Sequence, residues 1–266
     1  MHPLRRLITG IPLVLAPLST PATPGMAPQA VERLHALQRH PELAGSVVYW
    51  GDVYPAAAPP GTPAMFRYAR RAQPTATGWS AAHLTYQNDG TLIIEERVDM
   101  SAAYAFARME VSNHQTGQSG SAVLSADGRQ LHYTWTSAGT TRTATETVAA
   151  PVVAGPNLHG TMLRNWDALR AGQALQVRLA VPSRLESHGF DLRLDREGEG
   201  RTVFSATPSN WLVRMAVAPL RVTFDSATRR LLRYDGRVPP MQLNATGRLT
   251  DLDARVLYTQ QADGYR

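Results

Sequence analysis

The chain of 266 residues has no cysteine. That excludes disulfides, thiolate metal sites, a cysteine nucleophile and lipidation through sulfur. It has no lysine either: all 27 basic residues are arginine, against 21 acidic ones, for a formal charge of +6. With so much Ala, Gly and Pro, this reads as the compositional bias of a GC-rich genome. Arg70–Arg71 and Arg229–Arg230 are only pairs, whereas a nucleic-acid binder concentrates its charge on a face or stripe, so no nucleic-acid partner is expected. Aromatic residues are sparse, at 7%. No apolar run approaches the ~20 residues of a spanning helix.

Catalytic signatures are missing too. There is no His-Glu-x-x-His, no Gly-rich phosphate loop and no complete Gly-x-Ser-x-Gly elbow. Gly117 to Ser121 (GQSGS) comes close, but serine stands at the last glycine position and the context is a hairpin. The eight histidines are scattered, and Glu95 and Glu96 point to opposite faces of one strand. No metal and no cofactor are expected.

What is present begins with MHPLRR, followed by LITGIPLVLAPL and then STPATPGMAPQA. Basic, apolar and small segments in that order are a secretory signal, here residues 1–27. Export to the periplasm is the corresponding expectation. Residues 28–63 read as an arm. Val31, Leu34 and Leu37 have near-helical spacing, and Pro55, Pro59, Pro60 and Pro63 follow. The main domain is expected over 64–266.

From there the period is two. WSAAHLTYQ meets TLIIEERVD across Asp89-Gly90, and SAVLSA meets RQLHYTWTS across Asp127-Gly128, where glycine accepts the positive φ of a tight turn. QALQVRLAV and FDLRLD alternate, as do RTVFSAT, RVTFD, RRLLRYDG and ARVLYTQQ. In TLIIEERVD, Glu96 shares the side of Leu92, Ile94 and Val98; a strand end reaching solvent is the expected explanation, and if buried it needs a partner or a raised pKa. His83 and His132 fall opposite the apolar faces of their strands and are expected in solvent. Two helices interrupt. Leu158, Met162, Trp166 and Leu169 form one face, with Asn157 as cap and Gly172 past the end. Trp211 and Met215 stack four apart between Ser209 and Pro219. The fold class is therefore mainly β: a curved antiparallel sheet or incomplete barrel of about ten strands. Both helices are expected on its concave side, because one apolar face must be buried.

Two segments, Trp166-Asp-Ala-Leu through the Gly172 and Pro182-Ser-Arg positions and Pro219-strand-Asp225-x-x-Thr228-x-x-Leu231-x-x-Tyr234-x-Gly236, carry a resemblance. Over residues 64–260 the chain resembles an exported proteobacterial family known only as a domain of unknown function. The resemblance implies an envelope location and a β-rich fold, and brings no activity or catalytic residues. Val238-Pro239-Pro240 departs from the pattern, which has a Ser-Asn pair after the glycine. A looser fold analogy runs to periplasmic half-barrels that carry lipoproteins, a weak warrant for function.

The first functional expectation is a non-catalytic envelope protein that binds a lipid, another apolar ligand or an envelope protein. Trp166, Trp211, Met162 and Met215 would line its site, and Arg178, Arg184 and Arg214 would pair an acidic head group. The alternatives are an envelope hydrolase with dispersed catalytic residues and an assembly protein using an exposed strand edge.

Overall fold

The computed structural model describes residues 47–216 and 218–260. The signal segment and the helix expected near Val31 lie outside them. The protein is mainly β, built on one open sheet. Its strands are β1 (Val47–Pro55), β2 (Phe66–Pro74), β3 (Gly78–Gln87), β4 (Leu92–Ser101), β5 (Phe106–Asn113), β6 (Gln118–Leu124), β7 (Gln130–Ser137), β8 (Thr140–Thr147), β9 (Val152–Val153), β10 (Leu175–Val181), β11 (Glu186–Gly198), β12 (Arg201–Pro208), β13 (Leu220–Asp225), β14 (Leu231–Leu243) and β15 (Leu249–Gln260). Among the described residues three α-helices accompany them: α1 (Leu158–Arg164), α2 (Trp166–Arg170) and α3 (Trp211–Ala216).

The order is β8-β7-β6-β5-β4-β3-β2-β1-β15-β14-β13-β12-β11-β10-β9. Each strand from β1 to β8 pairs with its sequence neighbour, and so does each from β10 to β15. The join between β1 and β15 unites the two runs. All pairs are antiparallel except β9 with β10. A flat sheet of this size would be about 70 Å wide at ~4.8 Å per strand. Instead its two ends meet. Glu146 on β8 accepts from the Ser187 N–H on β11 at 3.2 Å. The same carboxylate accepts from the Tyr133 hydroxyl at 3.0 Å and lies 3.9 Å from the Arg178 guanidinium. The sheet is rolled, and a side-chain contact spans the opening.

Fifteen strands replace the expected ten or so, for a physical reason. β1 and β2 are buried at the middle of the sheet and show no clean polar face to betray a period of two. The segment of β1 had been assigned to the arm. It is a central strand, and the proline run after it is only the β1–β2 connection.

The apolar face is covered from inside. After β9 the chain turns through Gly155–Asn157 into α1 and α2. The expected single helix breaks at Asn165, whose amide side chain donates to the Thr161 carbonyl at 2.8 Å. Asn157 does not cap the helix with its side chain; its Oδ1 accepts from the Ala154 N–H at 2.6 Å and closes the turn before it. Leu158, Met162, Trp166 and Leu169 all enter the core with Val177, Phe204, Val222 and Phe224. This face of the helical segment is the one the spacing predicts.

The second helix corrects the expectation. α3 spans only six residues between Pro208 and Pro219, at the β12–β13 connection. Trp211 is 63% exposed and Met215 78%. The space against the sheet is already filled by α1 and α2, and prolines on both sides leave α3 too short to reach it. Trp211→Ala is expected to shift stability by less than about 0.5 kcal/mol; a urea unfolding midpoint well below the parent's would show that the indole is packed after all.

Candidate functional site

A polar row crosses the inner face where three apolar clusters adjoin. Tyr49 on β1 stands opposite Arg70 on β2, Arg70 opposite His83 on β3, and His83 opposite Glu96 on β4. Equal strand parity places these four side chains on the same side, together with Tyr68, Ala81, Ile94 and Val98. Arg70, His83 and Glu96 are all buried. The turn leading into α1 lies directly over them. Arg70 Nη2 donates both to the Pro156 carbonyl and to His159 Nδ1. A β-carbon added at Gly155 would lie 3.7 Å from Glu96 Oε1. That is an ordinary contact distance, so the turn lies against the carboxyl without needing glycine there.

The electrostatics follow from burial. Arg70 is pulled down to about 10 by desolvation, opposed by Tyr258, Tyr49 and Glu96. Glu96 is pushed up to about 7 by desolvation, with Arg70 pulling the other way. His83 and His159 are driven well below their ordinary value by burial and by the Arg70 charge. A neutral His159 is consistent with its Nδ1 accepting from a guanidinium. His83 Nδ1 lies 3.9 Å from Glu96 Oε2, and its ring stacks on Tyr68 at 6.1 Å. Among the described residues no carboxylate comes within salt-bridge distance of Arg70, so its charge is met by a carbonyl, a neutral imidazole and the Tyr258 hydroxyl. Arg70 Nε, His83 Nε2 and Asn157 Nδ2 have no hydrogen-bond partner there. An unmet buried polar atom typically costs about 1–3 kcal/mol, a cost that an ordered water or a ligand at these atoms would relieve.

His83 was expected in solvent; it is buried because β3 is covered on both faces. Glu96 too was expected in solvent; it is buried with a raised pKa, because the turn before α1 covers this stretch of β4. Nothing in the sequence reading pointed to Arg70 or His159. The available signal was the shared register of Arg70, His83 and Glu96, and it required knowing that β2, β3 and β4 are neighbours.

The residues expected to form a site are not brought together. Trp166 and Met162 are buried in the core. Arg178 is half-buried on β10, where it donates to Ser187 Oγ at 2.8 Å and helps close the roll. Arg184 is exposed in a short turn after β10, and Arg214 is exposed on α3, near Trp211 and Met215. Among the described residues no three His, Asp or Glu side chains form a metal-ligand group, and no helix is long and apolar enough to cross a membrane.

The recurrent motif residues have architectural jobs. Asp225 Oδ1 accepts from the Thr228 N–H and hydroxyl, each at 2.7 Å, and these bonds hold its carboxyl below the usual range. Tyr234 donates to the Arg237 carbonyl at 2.7 Å. Gly236 has φ +147°, and a β-carbon there would fall 2.5 Å from Leu220 Cδ2. Pro239 and Pro240 fall in the irregular stretch of β14 between Val238 and Gln242, where no ladder donor is needed. Compared with known proteins, the chain matches no family model, no curated protein and no solved structure.

Proposed function

We propose that the protein is a non-catalytic, exported cell-envelope protein that binds an amphipathic ligand, an acyl chain or lipid with an acidic head, on the inner face of a half-barrel. One observation supports the reading: a buried guanidinium, Arg70, is met only by neutral groups, the Pro156 carbonyl and His159 of the helical segment that lies across the face and the Tyr258 hydroxyl of β15. A buried cation is best met by an anion. A carboxylate or phosphate head would replace the Pro156 carbonyl and His159 at Arg70. The acyl chain would take up apolar surface that Leu158 and Met162 now cover.

Arg70→Met tests this. The substitution removes the charge and keeps an apolar stem, so the fold is expected to persist. Native mass spectrometry and lipid extraction of the parent, purified without detergent, should show a bound apolar acid that is absent from the variant. A folded Arg70→Met protein that keeps the same bound mass rejects the reading.

A second reading, an envelope hydrolase, draws on the Glu96–His83 pair. A carboxyl near pKa 7 beside an imidazole is suited to acid–base work at neutral pH. Turnover of any ester, amide or glycoside that is abolished in Glu96→Gln would favour it over binding.

A further inference from the structure

We infer that one rim of the sheet is a docking edge for an anionic lipid bilayer. The inference stands apart from the reading of the inner face.

Because β1 to β8 and β10 to β15 alternate in direction, the connections divide between two rims. One rim carries β1–β2, β3–β4, β5–β6, β7–β8, β10–β11, β12–β13 and β14–β15. The helical segment α1–α2, which follows β9, returns the chain to the other, where β10 begins. Among the described residues six large apolar side chains are exposed, and four of them belong to the first rim: Trp211, Met215, Leu243 and Leu249. Trp211 and Met215 are one helical turn apart on α3. Leu243 and Leu249 face each other across the tip of the β14–β15 hairpin. None of the four is part of a described core cluster.

The charges select the occupant. The seven connections of this rim hold Arg184, Arg214 and Arg248 against a single carboxylate, Asp89, which accepts from the Thr91 N–H. All three arginines are exposed. The nearby carboxylates of Asp251 and Asp253 are engaged by Arg237, that of Asp52 lies 3.5 Å from Arg67, and exposed Glu186, two residues from Arg184, lies 3.6 Å from His188. Arginine beside an exposed tryptophan is the pairing that a headgroup layer accommodates, with the indole at the interface and the guanidinium on phosphate. The apolar groups stand on two separate connections, each of which also carries polar residues: Asn210 before α3, and Asn244 and Thr246 at the β14–β15 tip. Separate prongs fit a fluid surface, whereas a protein partner needs a continuous apolar centre with a polar rim.

Trp211 supplies the readout. Residues 1–46 contain no tryptophan, so an apolar leader that entered the bilayer would give no tryptophan signal of its own. The full chain is mixed with phosphatidylglycerol vesicles whose acyl chains are brominated, and with brominated phosphatidylcholine vesicles. Tryptophan quenching is expected with the anionic vesicles and lost in Trp211→Phe. Arg214→Gln and Arg248→Gln are each expected to weaken partition about fivefold at low salt. Met215→Ser with Leu243→Ser should weaken it further while leaving the unfolding midpoint unchanged. Sedimentation with vesicles but no quenching, quenching that persists in Trp211→Phe, equal response to both lipids, or no vesicle binding at all overturns the inference. So does a protein partner that masks Trp211 in preference to lipid.

Discussion

Alanine in place of Trp166 is expected to cost about 3–5 kcal/mol, the range for removing a buried indole with little relaxation. Trp166 is only 2% exposed. It stands edge-on to Phe204 at 5.1 Å and to Phe224 at 5.5 Å. Arg229 lies over the indole at 5.2 Å and also reaches Asp167, so the side chain is enclosed from the turn side as well. Rolling strands around a helical segment leaves no second layer that can collapse into the gap. Phenylalanine should recover part of the loss through its edge contacts with the two rings. Urea unfolding at constant slope measures both. A cost below about 1 kcal/mol for the alanine variant would mean that α1 and α2 do not hold the sheet together.

The second large effect is in the pH dependence of stability. Glu96 rises from an ordinary 4.5 to about 7 on folding. The folded state therefore holds this proton more tightly, and its stabilising effect is complete below about 4.5 and lost as the pH climbs to about 7. At 1.36 kcal/mol per unit the loss is about 3 kcal/mol. His83 and His159 act with the opposite sign. Their folded values lie well below 6.5, so their contribution is complete above 6.5 and lost as the pH falls. Between 4.5 and 6.5 the unfolded chain takes up protons on two imidazoles, while the folded chain keeps one on Glu96. Stability should rise with pH across that window with a slope of about one proton. Glu96→Gln removes the opposing group. Its slope there should approach about two protons, and at pH 8 it should exceed the parent's stability by up to about 3 kcal/mol. Urea titrations from pH 4 to 9 decide it. Identical curves for the two proteins would show that Glu96 is hydrated and Arg70 solvent-screened.

The two predictions probe different parts of one arrangement. Trp166 reports the apolar attachment of the helical segment to β10–β13, and Glu96 reports its polar attachment to β2–β4. The proposed binding on the inner face would depend on the second, because there a buried cation relies on neutral partners. The rim bearing Trp211 is untouched by either.

Much of the local structure could be read from residue order. Asp89-Gly90 and Asp127-Gly128 marked hairpins because only a few residues accept positive φ, and Leu158, Met162, Trp166 and Leu169 marked a buried helical stripe because their spacing is that of a helix face. The parity of Glu96 with Ile94 and Val98 marked it as unusual but did not place it, because a strand end in solvent gives the same parity. These are short-range facts, set within a turn or a strand. Membership of the site was of another kind. Arg70, His83, Glu96 and His159 are separated by 13, 13 and 63 residues, and they meet through strand register and through a turn that re-enters the roll. Trp211 makes the same point in reverse: its sequence neighbours are apolar enough for a core, and it is exposed because Trp166 already occupies the interior. Periodicity determines which face of an element is apolar; which elements share that face, and which are left outside, is decided by competition for one interior volume, and only the assembled sheet records the result.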